Sequence, residues 1–174
     1  MLRDFNLLAT TSRGNENKER SELQYLLGEV GDSEATVDKT GVVGLVAAKT
    51  CLNPFEVIDK FRAILRVRSY EFRYTLRVIP IEAVVPTDLA EIQKMTIWFG
   101  SKIGQSETFR VTVEKRFTGI PSRDIIEAAA ENIKRRVDLT KPSKILLIEV
   151  IGGLTGISVI KPSNILSVVK EKML

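Results

Sequence analysis

An α+β fold in two modules is what this sequence predicts, and three observations support it. Apolar and polar residues alternate at period two in some segments, as half-buried strands require, and recur every three to four residues in others, as amphipathic helices require. The first six such segments run strand, helix, strand, strand, helix, strand. Pro80 and Pro86 then bracket a stretch that proline keeps extended, after which a second series begins. The boundary therefore falls between a first domain over 1–82 and a second over 83–174.

Phe5 to Thr10 is the first strand, closed by the polar loop Thr11-Ser12-Arg13-Gly14-Asn15. Glu16 to Leu27 follows as a helix packing through Leu23, Leu26 and Leu27, and Gly28 is its natural stop. Glu34–Val37 and Val42–Ala47 are strands about the turn Asp38–Gly41, hence a hairpin. Asn53-Pro54-Phe55-Glu56 starts the second helix: a capping asparagine, a proline where its missing amide costs nothing, and a glutamate three residues on. Its buried positions are Phe55, Ile58, Phe61 and Leu65. Tyr70 to Ile81 returns as an extended segment, with Phe72, Tyr74, Leu76 and Val78 alternating against Arg73, Thr75, Arg77 and Ile79. That order is ferredoxin-like, with two helices on one face of an antiparallel sheet.

The second module reads as α/β. Asp88 with Glu91 caps a helix whose apolar positions are Leu89, Ile92, Met95 and Phe99, ended by Gly104. Thr108 to Glu114 alternates Phe109, Val111 and Val113 against Arg110, Thr112 and Glu114, as a strand does. Lys115-Arg116-Phe117-Thr118-Gly119 breaks that pattern. Pro121-Ser122 then opens a helix, the serine accepting from first-turn amides, with Ile125, Ile126, Ala129, Ile133 and Val137 as its buried stripe. Ile145-Leu146-Leu147-Ile148 is a central strand covered on both faces. Gly152 to Gly156 is a turn, Ile157–Ile160 a strand, and Pro162-Ser163 starts a last helix with Ile165, Leu166, Val169 and Met173 inward.

Composition narrows the chemistry. The 174 residues are 44% hydrophobic, with no run long enough for a membrane span and no secretory signal, so a cytoplasmic protein with no membrane partner is expected. The lone cysteine, Cys51, excludes an internal disulfide framework. There is no histidine, hence no imidazole base, metal ligand or triad. No zinc spacing, Walker sequence or G-x-G-x-x-G turn appears, so no metal or cofactor is implied and no mechanism is nominated. A non-catalytic protein is the expectation.

Charge is unevenly placed. Residues 1–99 hold 13 Lys and Arg against 14 Asp and Glu, whereas residues 100–174 hold 13 against 8. A basic half points to a polyanion such as nucleic acid, or simply to a solvated basic face. The start of the Ser122 helix, flanked by Lys115, Arg116 and Arg123, is suited to a phosphate, because amides, helix dipole and side chains all favour negative charge.

Together the small N-terminal module, the strand Phe109-Arg110-Val111-Thr112-Val113-Glu114-Lys115-Arg116, the helix Ser122-Arg123-Asp124-Ile125-Ile126 and the strand from Ile145 to Val150 resemble the THUMP domain over essentially the whole chain. The resemblance implies binding to the acceptor end of tRNA and presentation of that tRNA to a modification enzyme. Phe5 to Glu16, Thr40-Gly41-Val42-Val43-Gly44-Leu45 and Leu76 to Glu82 resemble the stand-alone branch, which implies an adaptor for a tRNA cytidine acetyltransferase. By position, the family's RNA-contacting region falls on Lys115, Arg116, Ser122, Arg123, Lys134, Arg135 and Arg136, with Lys144 as a further candidate. Phosphates would sit over the Ser122 helix, held by Arg116 and Arg123, with Lys115 and Lys134 widening the track; recognition is of phosphate and shape, since few exposed aromatics are in view.

Each residue also has a plain structural role open to it. Ser122 is a helix cap, and Lys134-Arg135-Arg136 complements a helix C-terminus. Arg62 and Arg66 ladder with Glu56 or Asp59, Trp98 and Phe99 belong to a core, with Trp98, if exposed, a candidate for stacking on a base or docking a protein partner, and Cys51 is a small buried residue. An RNA-binding adaptor predicts salt-sensitive tRNA binding that falls in Arg116→Ala and Arg123→Ala with folding intact. The alternatives are a small enzyme or ligand-binding regulatory domain of ferredoxin-like fold, or the RNA-binding subunit of a split thiouridine synthase or RNA methylase.

Overall fold

The computed structural model describes residues 1–174, which pack as two units: Met1–Ile81 with Ser163–Leu174, and Glu82–Pro162. The first unit begins with β1 (Leu7–Thr10), α1 (Glu16–Glu29), β2 (Thr36–Lys39), β3 (Leu45–Lys49), α2 (Pro54–Val67) and β4 (Arg77–Pro80). The second holds β5 (Ala83–Pro86), α3 (Leu89–Phe99), β6 (Thr108–Arg116), α4 (Ser122–Ala130), β7 (Arg136–Val137), β8 (Lys144–Ile151) and β9 (Leu154–Ile160). The chain then returns to the first unit with β10 (Leu166–Ser167) and α5 (Val168–Lys172).

In the first unit the sheet order is β10-β4-β1-β3-β2, every pair antiparallel. Leu7, Ala9, Val46, Ala48 and Val78 project from its core face against Leu23, Leu26 and Leu27 of α1 and Val57, Ile58, Phe61 and Leu65 of α2. Asn53 caps α2 as expected, its Oδ1 accepting from the Phe55 and Glu56 amides at 2.9 and 3.4 Å. Helix α1 runs through Gly28, and the left-handed residue is Gly31 (φ 113°). The Val30 amide still reaches the Leu26 carbonyl and the Asp32 amide reaches back five residues to Leu27, so the chain turns at Gly31.

The extended segment expected over 70–81 is shorter. A single 3-10 turn spans Ser69–Glu71, and pairing begins only at Arg77. Glu22 is the reason: its carboxylate accepts from the amides of Arg73 (2.8 Å), Tyr74 (3.0 Å) and Thr75 (2.7 Å), replacing the neighbour strand those amides would otherwise need. Cys51, expected inside, is exposed.

The last helix is also displaced. Leu166 and Val168 are buried at a period of two, whereas Val169 and Met173 face out, so the segment pairs with β4 before coiling. Arg62 secures it, donating to Glu171 and to the Ser163 carbonyl, both at 2.8 Å. By packing, the second unit is therefore shorter than the 83–174 read from sequence.

The second unit has sheet order β5-β9-β8-β6-β7, with β6 parallel to β7 and β8 and the remaining pairs antiparallel. Phe109, Leu146, Ile148, Val150, Ile157 and Val159 meet Ile92 and Phe99 of α3 and Ile125 and Ala129 of α4. The alternate residues of β8, Ile145, Leu147, Glu149 and Ile151, are buried as well, as a central strand demands. Ala83–Pro86 is an edge strand on β9 and not a bare link; Pro86, lacking an amide, sits at its end. Helix α4 stops at Ala130 and not near Val137. Arg136 and Val137 leave it to pair with Thr108 and Phe109, which puts Val137 outside the expected stripe and exposed. Gly152-Gly153 alone make the turn, Leu154–Gly156 being already in β9. No helix is long and apolar enough to cross a membrane.

Candidate nucleic-acid interface

The registry of β6 decides which candidate residues can act together. Phe109 lies opposite Lys144 and Thr108 opposite Arg136, while Arg116 lies opposite Ile151 at the far end. Nine residues of strand cover about 26 Å. The structure thus splits the candidates into two groups: Lys115, Arg116, Ser122 and Arg123 around the C-terminal end of β6, and Lys134, Arg135, Arg136 and Lys144 around its N-terminal end.

At the C-terminal end Arg116 is not a free cation. Its Nη1 lies 2.5 Å from Oε2 of Glu149, whose side chain is 0% exposed against 23% for Arg116. The pair anchors the end of β6 to β8. Lys115 is exposed, and its ammonium donates to the Ile120 carbonyl at 2.9 Å, closing the loop between β6 and α4. Ser122 is the first residue of α4, with Pro121 (φ −61°, ψ 140°) in the capping position and no side chain accepting from the first turn. The expected serine cap is therefore absent, because the hydroxyl is one position too far along the helix to reach back. Asp124 and Ile125 direct their amides to the Pro121 carbonyl. Arg123 is 87% exposed and touches only Glu127, 3.0 Å away one turn on.

Phe117, between them, escaped the sequence reading. It is 73% exposed and holds a left-handed backbone, φ 60°, as no other residue but glycine does in this chain. Such a conformation costs a non-glycine residue about 1–2 kcal/mol. An aromatic inside Lys115-Arg116-Phe117-Thr118-Gly119 was the visible signal; its backbone conformation was not.

At the N-terminal end Arg135 is structural: Nε donates to the carbonyls of Ile103 (2.9 Å) and Gly104 (3.1 Å), and Nη1 to that of Lys134. Lys144 pairs with Glu107 at 3.0 Å and donates to the Lys102 carbonyl at 3.3 Å. The Gly104 amide, and then Lys144, hold the Glu107 carboxyl below its usual range. Lys134 and Arg136 are exposed; the amides of Lys141 and Thr140, and then the Arg136 charge, hold the Asp138 carboxyl below its usual range.

Divided by packing, Glu82–Pro162 carries 12 basic against 10 acidic residues and the other unit 14 against 12. The imbalance between sequence halves is thus not one between units. The N-terminal arginines are also engaged in part: Arg62 with Glu171 and Asp59, Arg68 with Glu29 and Glu71. Phe99 is buried as expected, but Trp98, its neighbour on the flank of α3, is 62% exposed.

No protein-family model and no curated protein sequence matches the chain. Solved structures do. TrmN from Thermus thermophilus superposes with a TM-score of 0.57 at 18% identity, over 92% of this chain and 47% of its own. PH1313 from Pyrococcus horikoshii gives 0.62 at 19%, over 91% and 55%. A 4-thiouridine synthetase solved in complex with RNA and bound ATP gives 0.53 at 16%, over 91% and 42%. The chain shares the fold of these three structures. This chain spans about half the length of the structures it matches, and the likeness extends over both of its sheets.

Proposed function

We propose that this protein binds the unpaired acceptor end of tRNA, without catalysis of its own, and presents it to a modification enzyme, most specifically a tRNA cytidine acetyltransferase. In this reading the first unit is the ferredoxin-like module that accompanies the RNA-binding one, and its strand order β4-β1-β3-β2 supports that. The observation that carries the proposal is the loop between β6 and α4. There an exposed aromatic, Phe117, stands on a left-handed backbone beside a helix start with no side-chain cap, flanked by Lys115 and Arg123. Phosphate on the first-turn amides and a base on the Phe117 ring fit that arrangement.

The test is binding of intact tRNA, and of the same tRNA without its unpaired end, across a salt series. Affinity is expected to fall with salt and with removal of the end. Arg123→Glu is expected to cost roughly tenfold in affinity and lower the salt slope by about one, with a thermal midpoint within about 2 °C of the wild type because the Glu127 pair is a surface one. Phe117→Gly separates folding from binding: relief of the left-handed residue should stabilise by about 1 kcal/mol, while loss of a stacking face weakens RNA. A gain in both would remove Phe117 from the interface.

The names of the structural neighbours, which include a putative methyltransferase and a thiouridine synthetase, favour one second reading: the same RNA-binding role in a split methylase or thiouridine synthase. Which enzyme co-purifies and responds to this protein by turnover on tRNA distinguishes the two.

A further inference from the structure

The second unit has a cleft that the loop after β6 does not use. It lies between β5 and α3, encloses about 540 Å³, and is lined by Ala83 and Val85 on one side and Met95, Trp98, Phe99 and Lys102 on the other. Phe99 forms its buried floor, and the Trp98 ring meets it edge to face at 5.0 Å with 70° between planes. The Lys102 ammonium sits 5.3 Å from the Trp98 centroid and 4.7 Å from that of Phe99, paired with Glu82. Glu91 and Lys94, 3.5 Å apart, complete the rim.

We propose that this cleft receives a nucleobase of an unpaired RNA strand, stacked on Trp98. The volume is in the range of small-ligand sites, about 300–1,000 Å³. A flat, open indole stacks on any base, an interaction worth about 1–3 kcal/mol. Lys94 and Lys102 supply charge for the phosphate attached to the base, and the Glu91 carboxylate accepts from an exocyclic amine. The rim charges are already matched in the pairs Glu82–Lys102 and Glu91–Lys94, so the choice falls on the open indole face, which suits a flat base better than an aliphatic peptide.

The neighbouring surface continues the track. Arg135 holds the carbonyls of Ile103 and Gly104 immediately after Lys102, which brings the exposed Lys134 and Arg136 to the same end of the unit as Trp98. The inference rests on the RNA binding proposed above, but on residues that the loop after β6 does not share.

Trp98 is the only tryptophan, so its fluorescence reports on this cleft alone. The full chain is titrated with a single-stranded RNA oligonucleotide and with a blunt duplex of the same length, and affinity for tRNA is measured separately by anisotropy. Emission is expected to be quenched by the single strand and unmoved by the duplex. Trp98→Ala should lose roughly tenfold in tRNA affinity and Trp98→Phe much less, both folding as the wild type because the ring is largely outside the core. Equal quenching by strand and duplex, or tRNA binding with fluorescence unmoved and Trp98→Ala at wild-type affinity, overturns the cleft and leaves RNA binding standing; Trp98 is then a surface for a protein. Failure of the wild type to bind any RNA overturns both.

Discussion

Arg116→Ala is expected to unfold about 10 °C below the wild type, before any effect on RNA is considered. Glu149 is fully buried and Arg116 puts a guanidinium nitrogen 2.5 Å from its carboxylate. Removing one partner of a buried pair costs about 3–5 kcal/mol, because the other charge keeps its desolvation penalty and loses its counter-charge. Arg116 is itself partly exposed, so the lower end of that range applies. In a chain of this length each kcal/mol moves the midpoint by about 2–4 °C. Thermal unfolding followed by circular dichroism gives the number. A double-mutant cycle with Arg116→Met and Glu149→Leu assigns it: the double variant should recover most of the loss, since well-packed apolar replacements of a buried pair are nearly neutral. A midpoint unchanged in Arg116→Ala would return the residue to the RNA interface. As it stands, the substitution does not leave folding intact, and Arg123 is the cleaner probe of binding.

Arg116 also shows where reading from sequence stops. The strand it ends was legible because Phe109, Val111 and Val113 alternate, and the helix after it because Ile125 and Ala129 recur at the right spacing. That Arg116 faces a buried carboxylate 33 residues away was not, since Glu149 reads as one polar residue in an apolar run. Long-range demands of this kind account for most of the other differences. Lys144 is drawn to Glu107, and Arg135 to the carbonyls after α3; composition describes such residues as basic but not as engaged. Short edge strands escaped for a different reason: two residues of β7 or β10 have no period to detect, and only their partner strands define them. Trp98 reads as core by residue type, yet its helix position, one residue before buried Phe99, points it about 100° away, toward the exposed alternative.

Stability should fall as pH rises from about 5 to 8.5, and Glu19→Gln should abolish that fall. Glu19 lies on the inner side of α1, fully buried, with both carboxylate oxygens 2.9 Å from the Thr75 hydroxyl. The same hydroxyl is 2.6 Å from Oε2 of Glu22. It has one proton to donate and two carboxyl groups within reach, so both cannot be ionised there. Glu22 already accepts from the three amides of Arg73, Tyr74 and Thr75 and takes the hydroxyl proton as an anion. Glu19 remains protonated and donates to the Thr75 oxygen. Burial, reinforced by the Glu22 charge and only partly opposed by Thr75, pushes the Glu19 carboxyl up from 4.5 to about 8. Between those values the folded chain holds one proton more than the unfolded chain, so unfolding becomes easier with increasing pH. The contribution is complete below about pH 4.5 and lost above about pH 8, with a slope of about 1.4 kcal/mol per pH unit at most for this single proton. Glutamine keeps the shape and a donor for Thr75 without the titration. At pH 5 it should match the wild type; at pH 8.5 it should be the more stable by several kcal/mol. Urea unfolding at the two pH values measures the difference, and equal wild-type midpoints at both would mean that Glu19 is ionised in the fold and that another group supplies the missing proton.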